Sequence, residues 1–214
     1  MNDEPAEDCP AKDRRAQRKE LRREAIIDIA RASFLQHGFA ASSMSSIAAA
    51  CGGSKTTLWS HFPSKEALFE ALVDRLVGNF SDALGEALLT GGTEAAMRRF
   101  GRVFLSKILS EDALALKRMI NSEAQRFPML AVAFYERGPA PVRKRLSLYI
   151  AGEMEAGRLR KGDPELAARQ FLSLCQGGCF SDVIWHRAGA PSSTPDQDVD
   201  TAVDAFFRIW GETR

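Results

Sequence analysis

The sequence predicts an all-α protein, with a small three-helix module at the N-terminus and a larger helical body behind it, about nine helices in all. Three observations predict this. Apolar residues recur at three- and four-residue spacing along most of the chain, and no stretch alternates apolar and polar residues well enough to read as a strand. Gly and Pro fall between the periodic segments, where helices must stop or start. With 214 residues, 45% of them hydrophobic, the chain can bury one ordinary core or carry a small module on a larger one.

The elements follow in order. Residues 1–18 are charged, poor in large apolar side chains and contain Pro5 and Pro10, so they read as a disordered arm. A first helix from about residue 19 buries Leu21, Ala25, Ile26, Ile29, Ala30 and Phe34, and stops at Gly38 after His37. Ser43 can cap a short second helix from Met44 to Cys51 with Ile47 as its core residue; Gly52-Gly53 is a turn. Ser54 can cap a third helix to about His61, and after Phe62-Pro63 Ser64 can cap a fourth, to about Leu84, carrying Leu68, Phe69, Leu72, Val73, Leu76 and Phe80. Beyond the Thr90-Gly91-Gly92-Thr93 loop, one stripe runs Met97, Phe100, Phe104, Ile108, and further helices span 113–127, 129–137 and 141–157. Gly162-Asp163-Pro164 opens a long helix from Glu165 to Arg187; a Pro/Ser-rich linker, 188–198, leads to the last helix, Val199 to Trp210.

Charge is unevenly placed. Met1 to Pro10 holds four acids and no base, 11–66 holds ten Lys/Arg against five Asp/Glu, and the remainder is balanced. The net charge of +1 argues against a general polyanion binder, but a basic head on a neutral body is the footprint of a nucleic-acid reader. The cluster Lys12, Arg14, Arg15, Arg18, Lys19, Arg22 and Arg23 reads either as a solvated helix face or as an arm along phosphates. No apolar run suits a membrane span, and the acidic N-terminus does not resemble a secretory signal, so a cytoplasmic location with no membrane partner is expected. Cys9, Cys51, Cys175 and Cys179 make no disulfide framework. Cys175 and Cys179 would share one helix face, either as buried apolar residues or as a thiol switch, and no His stands at ligand spacing from them.

The segment from Ser43 to Phe62 has helix-turn-helix form. Ala48, Ala49 and Ala50 permit close helix approach, Gly52 permits the turn, and Leu58 and Phe62 can pack the second helix of the motif on the first. The opposite face of that second helix is poorly chosen for stability. Lys55 stands in the first turn, where the helix dipole disfavours a cation, and Thr56 and Thr57 are modest helix formers. A DNA major groove would favour this set of cation, hydroxyls and aromatic. Lys65 repeats the first-turn anomaly in the fourth helix and reads as a phosphate clamp.

From about Arg23 to Leu72 the chain strongly resembles the DNA-binding domain of the TetR family: His37-Gly38-Phe39, Ile47-Ala48, Gly52, Ser54-Lys55, Leu58, Trp59, His61-Phe62 and Ser64-Lys65-Glu66-Ala67-Leu68-Phe69 match without a gap. The resemblance implies DNA contacts from Ser43, Ser54, Lys55, Thr56, Thr57, Trp59, Ser60, His61 and Lys65. Trp59 replaces the usual Tyr, Gly53 stands where an apolar residue such as Val is usual, and Thr56 where Gly or Pro is frequent. Ser122 to Pro128, Gly138-Pro139, Gly157-Arg158-Leu159 and Asp163-Pro164 look like the C-terminal domain of the AcrR-like or AefR-like branch.

That likeness divides the chain into a helix-turn-helix domain, 19–66, and a ligand-binding and dimerisation domain, 67–214. It implies a ligand-responsive repressor that binds a palindromic operator as a homodimer and is released by a small hydrophobic effector. Phe100, Phe104, Met119, Glu123, Phe127, Phe134 and Phe171 are the candidate pocket, although most could be ordinary core; Glu123 would favour a cationic or hydroxylated ligand. Leu174, Gly178, Val203, Phe206, Phe207 and Trp210 are the candidate dimer interface, with packing inside one chain as the alternative. No catalytic residue, cofactor or metal is expected. No nucleophile motif, phosphate loop or ligand cluster accompanies His37, His61 and His186, which argues against an enzyme. A redox regulator through Cys175/Cys179, or a helical DNA-binding adaptor without ligand control, remain as alternatives.

Overall fold

A computed structural model describes residues 9–52, 55–185 and 191–212. The described residues form α1 (Cys9–Ala41), α2 (Met44–Ala50), α3 (Lys55–His61), α4 (Lys65–Ala87), α5 (Thr93–Ile108), α6 (Glu111–Glu123), α7 (Pro128–Arg137), α8 (Pro139–Glu155), α9 (Pro164–Cys175), α10 (Cys179–Ile184) and α11 (Pro195–Trp210). Their only β-type pairing is an isolated bridge between Leu159 and Gly211. No helix among them is long and apolar enough to cross a membrane. The chain divides into two compact units at Leu72/Val73, inside α4 and a little beyond the expected boundary at 66.

In the first unit, α1 starts at Cys9, well before the expected start near residue 19. The helical path breaks at Gly38, whose φ of 80° and ψ of 165° form a positive-φ extended conformation that glycine adopts readily and other residues rarely do. Ser43 caps α2 as expected: its Oγ accepts from Ser46 N at 3.0 Å, and Ser46 Oγ accepts from Ser43 N at 3.1 Å. The core joins Ile26, Ile27, Ala30 and Phe34 of α1 to Ile47, Leu58, Leu68 and Leu72. Phe34, Phe39 and Phe69 form a buried aromatic trio with centroids 5.4 to 6.3 Å apart, each pair contributing about 1 kcal/mol beyond burial.

In the second unit, α5, α8, α9 and α11 enclose the main core, where Phe100, Phe171 and Phe206 follow one another at 6.4 and 5.5 Å. Two expectations need correction. The long helix from Glu165 to Arg187 is broken: α9 ends at Cys175, and α10 begins at Cys179 after Gln176, Gly177 and Gly178. The last helix begins at Pro195, inside the expected linker, because Thr194 and Gln197 form a capping box ahead of Val199.

Gly178 explains the break. The Asp198 carboxylate enters from α11 and accepts from Cys179 N at 2.7 Å, and any Cβ at Gly178 would collide with it. Along its outer edge α11 is tied to α5 by ion pairs from Arg98 to Asp200 and Asp204, and from Arg102 to Asp196.

Candidate DNA-reading helix and effector cavity

The α2–α3 pair is joined by a turn at Cys51-Gly52, where Gly52 has φ 60°. Arg22 Nη2 donates to the Cys51 carbonyl at 3.1 Å, tying α1 to the end of α2. Leu58 is buried and anchors α3 against the head core. That anchor leaves Lys55, Thr56, Trp59 and Ser60 exposed on the other side, with Thr57 and His61 half-buried beside them. Ser60 Oγ donates to the Thr57 carbonyl at 2.8 Å. Trp59 is 42% exposed, an unusual place for a large indole without a partner surface. Ser54 lies outside the described residues, as does Gly53.

His61 stands against the basic stretch of α1. Desolvation, followed by the charges of Lys19, Arg22 and Arg23, lowers its pKa below the ordinary 6.5. Arg14, Arg15, Arg18 and Lys19 are exposed on the same helix, so α1 carries a cationic flank that reaches α3 at Lys19, Arg22 and Arg23.

Lys65 is placed differently from the expected first-turn phosphate clamp. Its ammonium donates to the carbonyls of Phe39 at 2.6 Å and Ser42 at 2.8 Å, and sits 4.2 Å from the Phe39 ring centroid. At least two of its N–H donors thus hold the segment between α1 and α2. The carbonyls freed where the chain leaves α1 at Gly38 draw the cation inward.

The second unit contains a cavity of about 370 Å³. Leu76, Val77 and Phe80 of α4, Phe104, Lys107 and Ile108 of α5, Leu116 and Lys117 of α6, Phe134 and Tyr135 of α7, Val142 of α8, Leu172 and Gln176 at α9, and Phe180 of α10 line it. Of the expected pocket residues, Phe104 and Phe134 are on the wall. Phe100 and Phe171 are fully buried in the core, and Met119 is buried on α6. Glu123 and Phe127 lie at the α6–α7 turn, where the Glu123 carbonyl accepts from Phe127 N at 2.8 Å, and neither reaches the wall. The lysines were missed, although Lys107 stands three residues after Phe104 and so shares its side of α5.

The expected dimer residues are also redistributed. Val203, Phe206 and Trp210 point into the core of their own chain, where α5 and α9 cover them, and the Trp210 indole donates to Gln170 Oε1 at 2.8 Å. Phe207 is half-buried beside Phe206 at 5.7 Å. Gly178 is shaped by Asp198, as above. Leu174 is exposed, and Ile209 of α11 joins it as an exposed apolar residue. Cys175 and Cys179 are both buried, on different helices; desolvation and Asp198 push each thiol up to about 12. Among the described residues, no group of His, Cys, Asp and Glu could hold a metal ion.

Residues 26–72 match the family model of bacterial regulatory proteins of the tetR family, and residues 95–212 match that of the C-terminal domain of AefR-like transcriptional repressors. The chain belongs to the TetR family of transcriptional regulators. It is similar to the flavonoid-responsive regulator FrrA, at 33% identity and a TM-score of 0.80 over 91% of this chain and 100% of that one. It is also similar to a TetR-family regulator from Mesorhizobium loti MAFF303099, at 25% identity and a TM-score of 0.77, covering 91% and 98% of the two chains. A third likeness is to the transcriptional repressor ComR of Escherichia coli K12, 33% identical over 111 residues. That match takes in 50% of this chain and 52% of ComR, so the chain spans about half the length of this curated relative. As a TetR-family regulator the chain is a transcription factor and not an enzyme.

Proposed function

We propose that this TetR-family regulator is a homodimeric repressor, binding a palindromic operator through α3 and releasing it when a small aromatic effector fills the cavity of the second unit. The observation that carries the reading is the outward face of α3. Lys55, Thr56, Trp59 and Ser60 are exposed together on a helix held by Leu58, with the cationic flank of α1 alongside. Hydroxyls and a cation at the start of a short helix suit base edges, while Arg14, Arg15, Arg18, Lys19 and His61 suit the adjoining phosphates. Ser43 and Ser54 belong to the same proposed contact set. Lys65 enters it chiefly by holding the α1–α2 segment in place.

Two copies would present their α3 helices to successive major-groove faces, about 34 Å apart. Dimerisation falls to the exposed side of α9, the turn after it and α11, where Leu174 and Ile209 are apolar and Ser173, Gly177 and Thr201 are small. The aromatic wall of Phe80, Phe104, Phe134 and Phe180 suits a ring-bearing ligand, in keeping with the flavonoid response of FrrA. Leu76, Val77 and Phe80 belong to α4, whose first turns lie in the head, so an occupant that prefers one α4 position shifts the population of DNA-competent heads. The high thiol pKa values speak against redox control through Cys175 and Cys179, because the thiolate is the reactive form.

Selection of bound fragments from genomic DNA with purified full-length protein tests the reading. The expected outcome is one palindrome protected over two successive major-groove faces. Equal binding to random DNA at moderate salt would favour an adaptor without sequence control.

A further inference from the structure

The cavity wall carries charge of one sign. Lys107, in the last turn of α5, and Lys117, on α6, both border it and are both half-buried. No Asp or Glu lines the cavity, and neither ammonium has a hydrogen-bond or ion-pair partner among the described residues. The other polar groups add donors. Ser110 Oγ accepts from Ala113 N at 3.4 Å and keeps its own O–H to donate, and the Tyr135 phenol lies on the same wall. Some arginines elsewhere in this unit do have carboxylate partners, as Arg98 has Asp200 and Arg158 has Glu153. The two cations thus border one apolar hollow whose wall holds no carboxylate to neutralise them.

A half-buried ammonium gives up part of its hydration, and an anion delivered into an apolar site restores the lost interaction. Long lysine stems can also cover apolar wall while their charged ends reach the same ligand group. We infer that the cavity selects an aromatic anion, a carboxylate or an ionised phenol, whose ring lies among Phe80, Phe104, Phe134 and Phe180 and whose charge is shared by Lys107 and Lys117. This rests on the cavity being the effector site. It reverses the expectation built on Glu123, which is absent from the wall.

Three probes with one naphthalene ring system separate the possibilities by calorimetry on the full chain: 2-naphthoate, neutral 2-naphthamide and the cation 2-naphthylmethylammonium. The naphthoate should bind at least about tenfold tighter than the amide, and the ammonium most weakly, because one charge-assisted contact is worth a factor of this order. Lys107→Met and Lys117→Met should each lower the naphthoate-to-amide affinity ratio toward one, with a melting temperature matched to the parent showing the fold intact. An amide as tight as the naphthoate, a preferred ammonium, or a preference surviving both substitutions overturns the anion assignment while leaving the cavity as the effector site. If none of the three binds, the effector site and the anion assignment fall together.

Discussion

Replacing Lys65 with Met distinguishes a clamp inside the head from a phosphate contact. The ammonium makes hydrogen bonds to the Phe39 and Ser42 carbonyls and stands over the Phe39 ring. Sheltered charge-assisted hydrogen bonds are worth about 1.5–3 kcal/mol each, and an exposed cation–π contact about 0.5–1 kcal/mol. Lys65 is only half-buried, so water screens each contact and replaces part of what is lost. The expected cost of Lys65→Met is therefore about 2 kcal/mol, confined to the head, since all three partners lie before Leu72. Because a two-unit chain need not unfold in one step, amide hydrogen exchange is the suitable assay. Protection of α1 and α2 amides should fall by about 30-fold, the equivalent of 2 kcal/mol, with α9 and α11 unchanged. Unchanged head protection, together with an operator-binding salt slope reduced by about one, would refute the clamp and restore the phosphate contact.

Other outcomes follow from the same geometry. Gly178→Ala should lower thermal stability and loosen the start of α10, because the new methyl meets the Asp198 carboxylate; a wild-type melting temperature would contradict that role. His61 has a pKa held below 6.5 in the free protein, first by desolvation and then by Lys19, Arg22 and Arg23. A neighbouring phosphate would raise that pKa, so binding would take up a proton and operator affinity should increase as pH falls from about 7.5 to 6. His61→Gln should flatten this dependence, and an equally steep profile in the variant would exclude His61 as its source. Cys175→Ser should leave operator binding insensitive to diamide, as in the parent, since thiols near 12 carry little thiolate at neutral pH; diamide-induced release in the parent alone would establish a switch.

Features set by neighbours in sequence were legible before the fold was known. Gly38 ends a helix, Ser43 caps one, and Leu58 and Phe62 face inward because their spacing leaves them no other side. Features set by distant partners were not legible. The break at Gly177-Gly178 was hidden because Phe171, Leu172, Cys175, Cys179 and Phe180 keep a helical spacing across it, and only the Asp198 carboxylate reveals the reason. The stripe of Val203, Phe206 and Trp210 announced an apolar face, but periodicity cannot say whether the covering surface belongs to the same chain. Cavity wall and solid core draw on the same residue types, so Phe104 and Phe100 could not be told apart, although Phe104 lines a hollow and Phe100 fills one. Lys65 looked free for a phosphate because its carbonyl partners lie 26 and 23 positions away.

The central claim is that the exposed side of α3 enters a DNA groove, and the affinity of Lys55→Ala for the selected operator tests it most directly. With dimer mass and melting temperature matched to the parent, the account predicts a loss of at least about tenfold at moderate salt, in line with about 1–3 kcal/mol for a direct base contact. Full operator affinity in that folded variant would contradict it.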